Sequence, residues 1–263
     1  FHLIEEYDNS SAVFSEFDDL DKEDIVKSYM LEMKMNTYHS IETLFELLFG
    51  LTNEKNDPND YGLWLTMSKG NKGNIGKIED FADDATKFDF DIKIKDKTIP
   101  FLQHVIYFGN LGFEHRDKVE ESIPVIKRGL KILANIFKDR EVYNSYKHGL
   151  RLFQTLSRMR AIDKEKDETI IDFDFSKSVS FLKHDKGQSC FHLKVKNIDY
   201  KKEHTLSLFA YSLISNIIKS RKIGAQYSEK EEFYFYSEDL IDELLDVNIR
   251  WDDFSQTCIY KYA

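Results

Sequence analysis

Residues 139–160 read DREVYNSYKHGLRLFQTLSRMR. Placed on a helical wheel at about 100° per residue, Tyr143, Tyr146, Leu150 and Phe153 make one apolar stripe. Arg140, Asn144, His148, Arg151 and Thr155 fall together in a polar arc about 80° wide. The spacing therefore predicts a helix across the stretch, with a histidine, an amide and two arginines on one face. Asn144 and His148 stand one turn apart, and His148 and Arg151 three residues apart, so their side chains are within reach of one another.

Upstream, the clearest periodicity lies in residues 21–51. Val26, Met30, Met33, Thr37, Ile41, Leu44, Leu48 and Leu51 recur at steps of three and four, the pattern of a core-facing helix stripe. Ser122 with Pro124 predicts a further helix start, followed by Ile123, Ile126, Leu130, Leu133 and Phe137 on one face. Thr98 with Pro100 predicts another, ending near Phe108 before Gly109 and Gly112. Residues 203–222 and a segment after Ser237 complete the helices. Alternation in KFDFDIKIKD (87–96) predicts a strand with one buried face. Residues 170–175, 178–183 and 190–196 are strand-like, with His184–Gly187 as the turn between the last two.

The expected fold is mainly α: a helical bundle with a small antiparallel β-sheet inserted after the organising helix. The domain reading is an acidic arm over 1–19, a bundle over 20–222 carrying a β-hairpin around 170–197, and an acidic helical extension over 223–263. The 263 residues are 41% hydrophobic, enough for one large domain with an embedded subdomain. Only 11 Gly and 3 Pro punctuate the chain, which favours long helices.

Charge narrows the partners. The net charge of −10 argues against indiscriminate nucleic-acid binding. It is unevenly spread: residues 116–160 hold eleven Lys/Arg against five Asp/Glu, while 1–24 hold nine Asp/Glu against one Lys. A basic middle segment can still take an anion locally. No run approaches 18 consecutive apolar residues, so no membrane partner is expected. Two cysteines without a CxxC spacing fit reduced thiols in a cytoplasmic protein.

Several chemistries fail on spacing. GNKGNIGK (70–77) leaves five residues between Gly70 and Gly76 and has Ile78 where a phosphate loop needs Ser or Thr. There is no HExxH and no GxSxG. Asp172 and Asp174, two apart on a strand face, have the chemistry of Mg²⁺ ligands, but alternation alone accounts for them as a solvated polar face. No metal and no cofactor is called for.

Asn144-Ser-Tyr-Lys-His148, downstream of a long amphipathic helix, resembles the Arg-(Asn/Asp/His)-x-x-x-His helix motif of the HEPN superfamily. Tyr143 occupies the position that the family gives to arginine, and Arg140 is the nearest arginine upstream. The resemblance implies an RNA-directed protein of a defence or stress system that cleaves phosphodiesters without a metal. It also implies a homodimer in which two such helices meet. On that reading the catalytic set is His148, Asn144, Arg151 and Arg140, with Lys147 and Arg158 as RNA contacts. The proton carrier is His148, the only group of the set that titrates near neutrality. The arginines supply charge to the phosphate. The alternative is a non-catalytic dimeric interaction module, the partner or scaffold of a toxin–antitoxin type system. In that case Asn144 and His148 are a hydrogen-bonded packing pair.

Overall fold

The computed structural model describes residues 17–52, 74–94, 97–108, 115–147, 152–154, 158–163, 168–185, 190–227, 231–246 and 258–261. The fold is mainly α, and its helices are α1 (Asp19–Thr52), α2 (Asn74–Asp83), α3 (Phe101–Tyr107), α4 (Arg116–Lys138), α5 (Glu141–Lys147), α6 (Tyr200–Gly224) and α7 (Glu238–Asp246). Among the described residues eight strands accompany them: β1 (Asp91–Ile94), β2 (Lys97–Pro100), β3 (Leu152–Gln154), β4 (Arg158–Asp163), β5 (Glu168–Asp174), β6 (Ser178–Asp185), β7 (Cys190–Asn197) and β8 (Cys258–Lys261). They form two two-stranded sheets, β1-β2 and β4-β5, and one four-stranded sheet of order β3-β6-β7-β8. Every pairing is antiparallel. No helix among the described residues is long and apolar enough to cross a membrane.

Contacts divide the chain into two units. The first takes the described residues of 1–36, 140–204 and 250–263; the second takes those of 37–139 and 205–249. The division falls inside α1 and α6.

The second unit is helical and aromatic. From α1 it receives Ile41, Leu44, Phe45, Leu48 and Leu51, all buried as their three-and-four spacing predicts. Phe45 and Phe49 continue into Phe81 of α2, Phe88 and Phe101, with successive ring centroids 4.9–5.9 Å apart. Such spacing gives edge and offset contacts in addition to burial. Gly129 of α4 is needed for close approach: a Cβ there would lie 2.3 Å from the Phe209 ring of α6. Asn216, fully buried, donates to the Tyr234 carbonyl (2.8 Å) and accepts from the Tyr234 N–H (3.0 Å). Ser122, also buried, accepts from the Tyr236 N–H at 2.9 Å. The extended segment 231–237 is thus tied to the helices through its own backbone, the groups that most need partners once out of water.

The first unit is the sheet-bearing one. In β6-β7 the register places Ser178 opposite Asn197 and Asp185 opposite Cys190. β3 adds Leu152 opposite Phe181, and β8 adds Cys258 opposite Leu193. Lys34 of α1 and Glu203 of α6 form a buried ion pair at 2.5 Å, with side chains 7% and 5% exposed.

Four local expectations are corrected. Of the helix predicted over 139–160, Glu141–Lys147 is helix, 148–151 lie outside the described residues, and 152–154 and 158–163 are strands. Leu150-Arg151-Leu152 and Arg158-Met159-Arg160 each alternate over three residues and also fit a helical wheel, so neither period is decided locally. The β6 ladder supplies backbone partners to 152–154 that decide between them, as β5 does for 158–163. α4 begins at Arg116, not Ser122, so Pro124 sits inside the helix. The Arg116–Glu120 pair, one turn apart, supports the added turn. Thr98 lies in β2, and α3 starts at Phe101. Residues 74–83, for which the sequence predicts no helix, are α2, where Ile78, Phe81 and Ala82 supply the buried face.

Candidate functional site

α5 carries what the structure describes of the predicted site. The helix α4 stops at Asp139, and α5 starts two residues later with Glu141 in its first turn, where a carboxylate complements the helix dipole. The Glu141 carboxylate pairs with two lysines, Lys183 of β6 and Lys194 of β7, the latter at 2.6 Å. Lys183 faces His192 across the ladder and Lys194 faces Phe181, so the two lysines are diagonal neighbours on one sheet face. Burial pushes the Glu141 carboxyl up. The hydrogen bonds and charges of Lys183 and Lys194 outweigh it and hold the group below its ordinary value. α5 is therefore fastened to the sheet at its N-terminal end.

The rest of the helix sorts its faces. Val142, Tyr143 and Ser145 are buried. Tyr146, at the surface, donates from its hydroxyl to Glu32 of α1 at 3.3 Å, and that acidic neighbour holds its phenol above the usual range. Asn144 is exposed, and its N–H donates to the Arg140 carbonyl at 2.8 Å. Lys147 is exposed with its ammonium 4.3 Å from the Tyr143 ring centroid, a cation–π distance. Arg140 is half-buried. Arg140, Asn144 and Lys147 thus lie within one short segment, as the sequence predicts. His148 and Arg151 lie outside the described residues.

Arg158 is placed elsewhere, on β4. Its guanidinium grips Asp172 of β5 with two hydrogen bonds, Nε at 2.6 Å and Nη2 at 2.5 Å, and Arg160 adds a third at 3.1 Å. This is the fork-on-carboxylate geometry that a phosphate would also accept. The Arg158 hydrogen bonds lower the Asp172 pKa most, with Arg160 adding to them, to about 2. Asp174 accepts from the Ser176 N–H at 2.8 Å, which lowers its own pKa. The two carboxylates singled out in the sequence are thus committed to guanidinium and backbone donors. Among the described residues no three His, Cys, Asp or Glu side chains gather into a group able to hold a metal ion.

Sequence reading missed the Glu141 clamp and the Lys34–Glu203 pair. Neither has a local signature, since each joins residues far apart in the chain. It also passed over the lysines of β7 and the start of α6, although Lys194-Val-Lys196 alternates and Lys201-Lys202 follows within a few residues. No protein-family model, curated protein or solved structure matches the chain.

Proposed function

We propose that the chain acts on RNA, cleaving phosphodiester bonds without a metal ion as part of a defence or stress response, in the manner its HEPN resemblance implies. His148 moves the proton of the attacking 2′-hydroxyl, Asn144 orients the His148 ring, and Arg151 or Arg140 receives the charge that builds on the phosphate. The working unit is a homodimer, with each copy contributing one such helix. The observation that carries the reading is the exposure of Asn144 on a helix whose opposite face is buried. This polar amide stands four residues ahead of His148, between the buried Tyr143 and Ser145.

The test is incubation of the full chain with labelled single-stranded RNA in EDTA. Cleavage is expected with the wild type and is expected to be lost in His148→Ala, at unchanged melting temperature. No cleavage by either protein overturns the reading.

A second reading has its own support. Arg158, the RNA contact expected from the sequence, already holds a carboxylate in two hydrogen bonds. A protein that binds a partner without catalysis needs no free guanidinium. For such an interaction module, His148→Ala changes dimerisation or melting, and RNA stays intact with either protein.

A further inference from the structure

The last turn of α3 and the last turns of α6 meet around a histidine. His104 is half-buried, whereas His39 and His115, the other histidines of the second unit, are exposed. Its Nδ1 is sealed from solvent and has no hydrogen-bond partner among the described residues, a rare condition for a buried polar atom. Its carbonyl accepts from the buried Ser220 hydroxyl of α6 at 3.2 Å. One turn further on, the Phe108 ring lies against the imidazole, with centroids 5.7 Å apart. Phe108 has a left-handed backbone (φ 54°), uncommon for a side chain of this size. Gly224 of α6 makes room for it, since a Cβ there would lie 2.7 Å from the Phe108 ring. Packing on α6 thus holds a backbone conformation that is costly by itself.

Protonation sets itself against this contact. An imidazolium donates from both nitrogens, and its Nδ1–H would be buried with no acceptor. Arg221 of α6 adds a like charge. Burial first, and then Arg221, hold the ring below its ordinary pKa of 6.5. The other elements around α3 supply no carboxylate to the ring among the groups described. In the extended segment, Glu231 is turned to Lys222 at 3.9 Å. The buried phenols of Tyr107 and Tyr236 are pushed well up and stay neutral. On α4, Glu120 is held by Arg116 at 2.7 Å and Lys118 lies on the Phe235 ring; Lys97 of β2 is exposed.

We infer that His104 is an acid-operated latch: while its ring is neutral it holds Phe108 and the end of α3 on the last turns of α6, and when the ring takes a proton the two part. The device lies in the second unit and stands apart from the RNA-directed reading, so neither fails with the other. The opened form titrates at the ordinary 6.5 and the closed form below it. The latch is therefore at full strength well above pH 6.5 and weakens as pH falls through that value, until the closed form is protonated too.

The test is amide hydrogen exchange of the full chain at about pH 7.5 and about pH 5.5, either side of the histidine range, corrected for the pH dependence of the intrinsic rate. Protection of residues 105–108 and 221–225 is expected to fall severalfold in acid, while that of 41–48 in α1 holds. His39→Gln and His115→Gln are expected to keep the acid loss, and His104→Gln and His104→Phe to abolish it. The phenylalanine variant serves where a buried glutamine amide unfolds the unit. The wild-type ring, followed through the NMR signal of its Hε1 proton, is expected to titrate below 6.5. Wild-type protection that ignores pH, a loss that persists in a folded His104 variant or vanishes in His115→Gln, or a ring that titrates at or above 6.5 overturns the inference.

Discussion

The two units of the chain are held together by different physics. The second is fastened by apolar surface: a run of phenylalanines from Phe45 to Phe101, helices in contact at Gly129, and a strap tied through Asn216 and Ser122. The first adds to its own apolar core, which includes Tyr143 and Phe181, an ion pair in its interior, Lys34–Glu203, with Glu141 between two lysines nearer the surface; the second keeps ion pairs such as Lys127–Asp89 and Lys138–Asp83 at its surface. Burial of apolar area is non-directional and tolerant of condition. Ion pairs are directional, depend on pH and salt, and leave charged side chains near the surface. The unit that carries Asn144 and Lys147 is the one with an ion pair in its interior. The aromatic unit resembles an ordinary core.

That contrast can be broken in steps. The largest loss is expected from Phe81→Ala, which removes a fully buried ring touching Phe45 and Phe88. It should cost about 3–5 kcal/mol in a denaturant titration. A comparable loss, again about 3–5 kcal/mol, is expected from Glu203→Ala, because Lys34 is left buried without its carboxylate. Replacing both partners sharpens the point. Lys34→Met with Glu203→Leu should recover most of that stability, since breaking a buried pair costs more than dispensing with it. Failure of the double variant to recover would mean that packing around the pair, rather than its charge, is what matters.

Gly129→Ala comes next, at about 1–3 kcal/mol, because the new Cβ meets the Phe209 ring. The gain in helix propensity offsets no more than about 1 kcal/mol of it. Acid produces a smaller effect, which in the first unit acts at Glu141. Glu141 has a folded pKa below its ordinary 4.5. Its contribution is therefore complete above about pH 4.5 and fades as pH falls through the folded value. Amide signals of α5 should shift over that window while those of Ile41 to Phe45 hold still. The smallest effect belongs to Asp172→Asn, on an exposed hairpin. Global melting should not move, and only amide exchange in β4 and β5 should quicken.

The helices with long three-and-four stripes, α1 and α6, were legible because their buried faces repeat over many turns. So was the hairpin β6-β7, whose strands alternate and whose partners are close in sequence. The stretch 139–160 was not, because its pattern fits two periods and the choice lies with β5 and β6, further along the chain. α2 was hidden by Gly76 and by the Gly- and Asn-rich run before it, although Ile78, Phe81 and Ala82 have helical spacing. Of the candidate site, the grouping of Arg140, Asn144 and Lys147 was readable locally. The capture of Arg158 by Asp172 was not, since it depends on which strand lies alongside β4.

The account stands or falls on where RNA lands. Hydrogen exchange of the full chain, with and without a saturating 2′-O-methyl oligonucleotide, reads this directly. Added protection is predicted at α5, with α2, α3 and α4 unchanged. Protection centred on α2 to α4 instead, with none at α5, would contradict the proposed site.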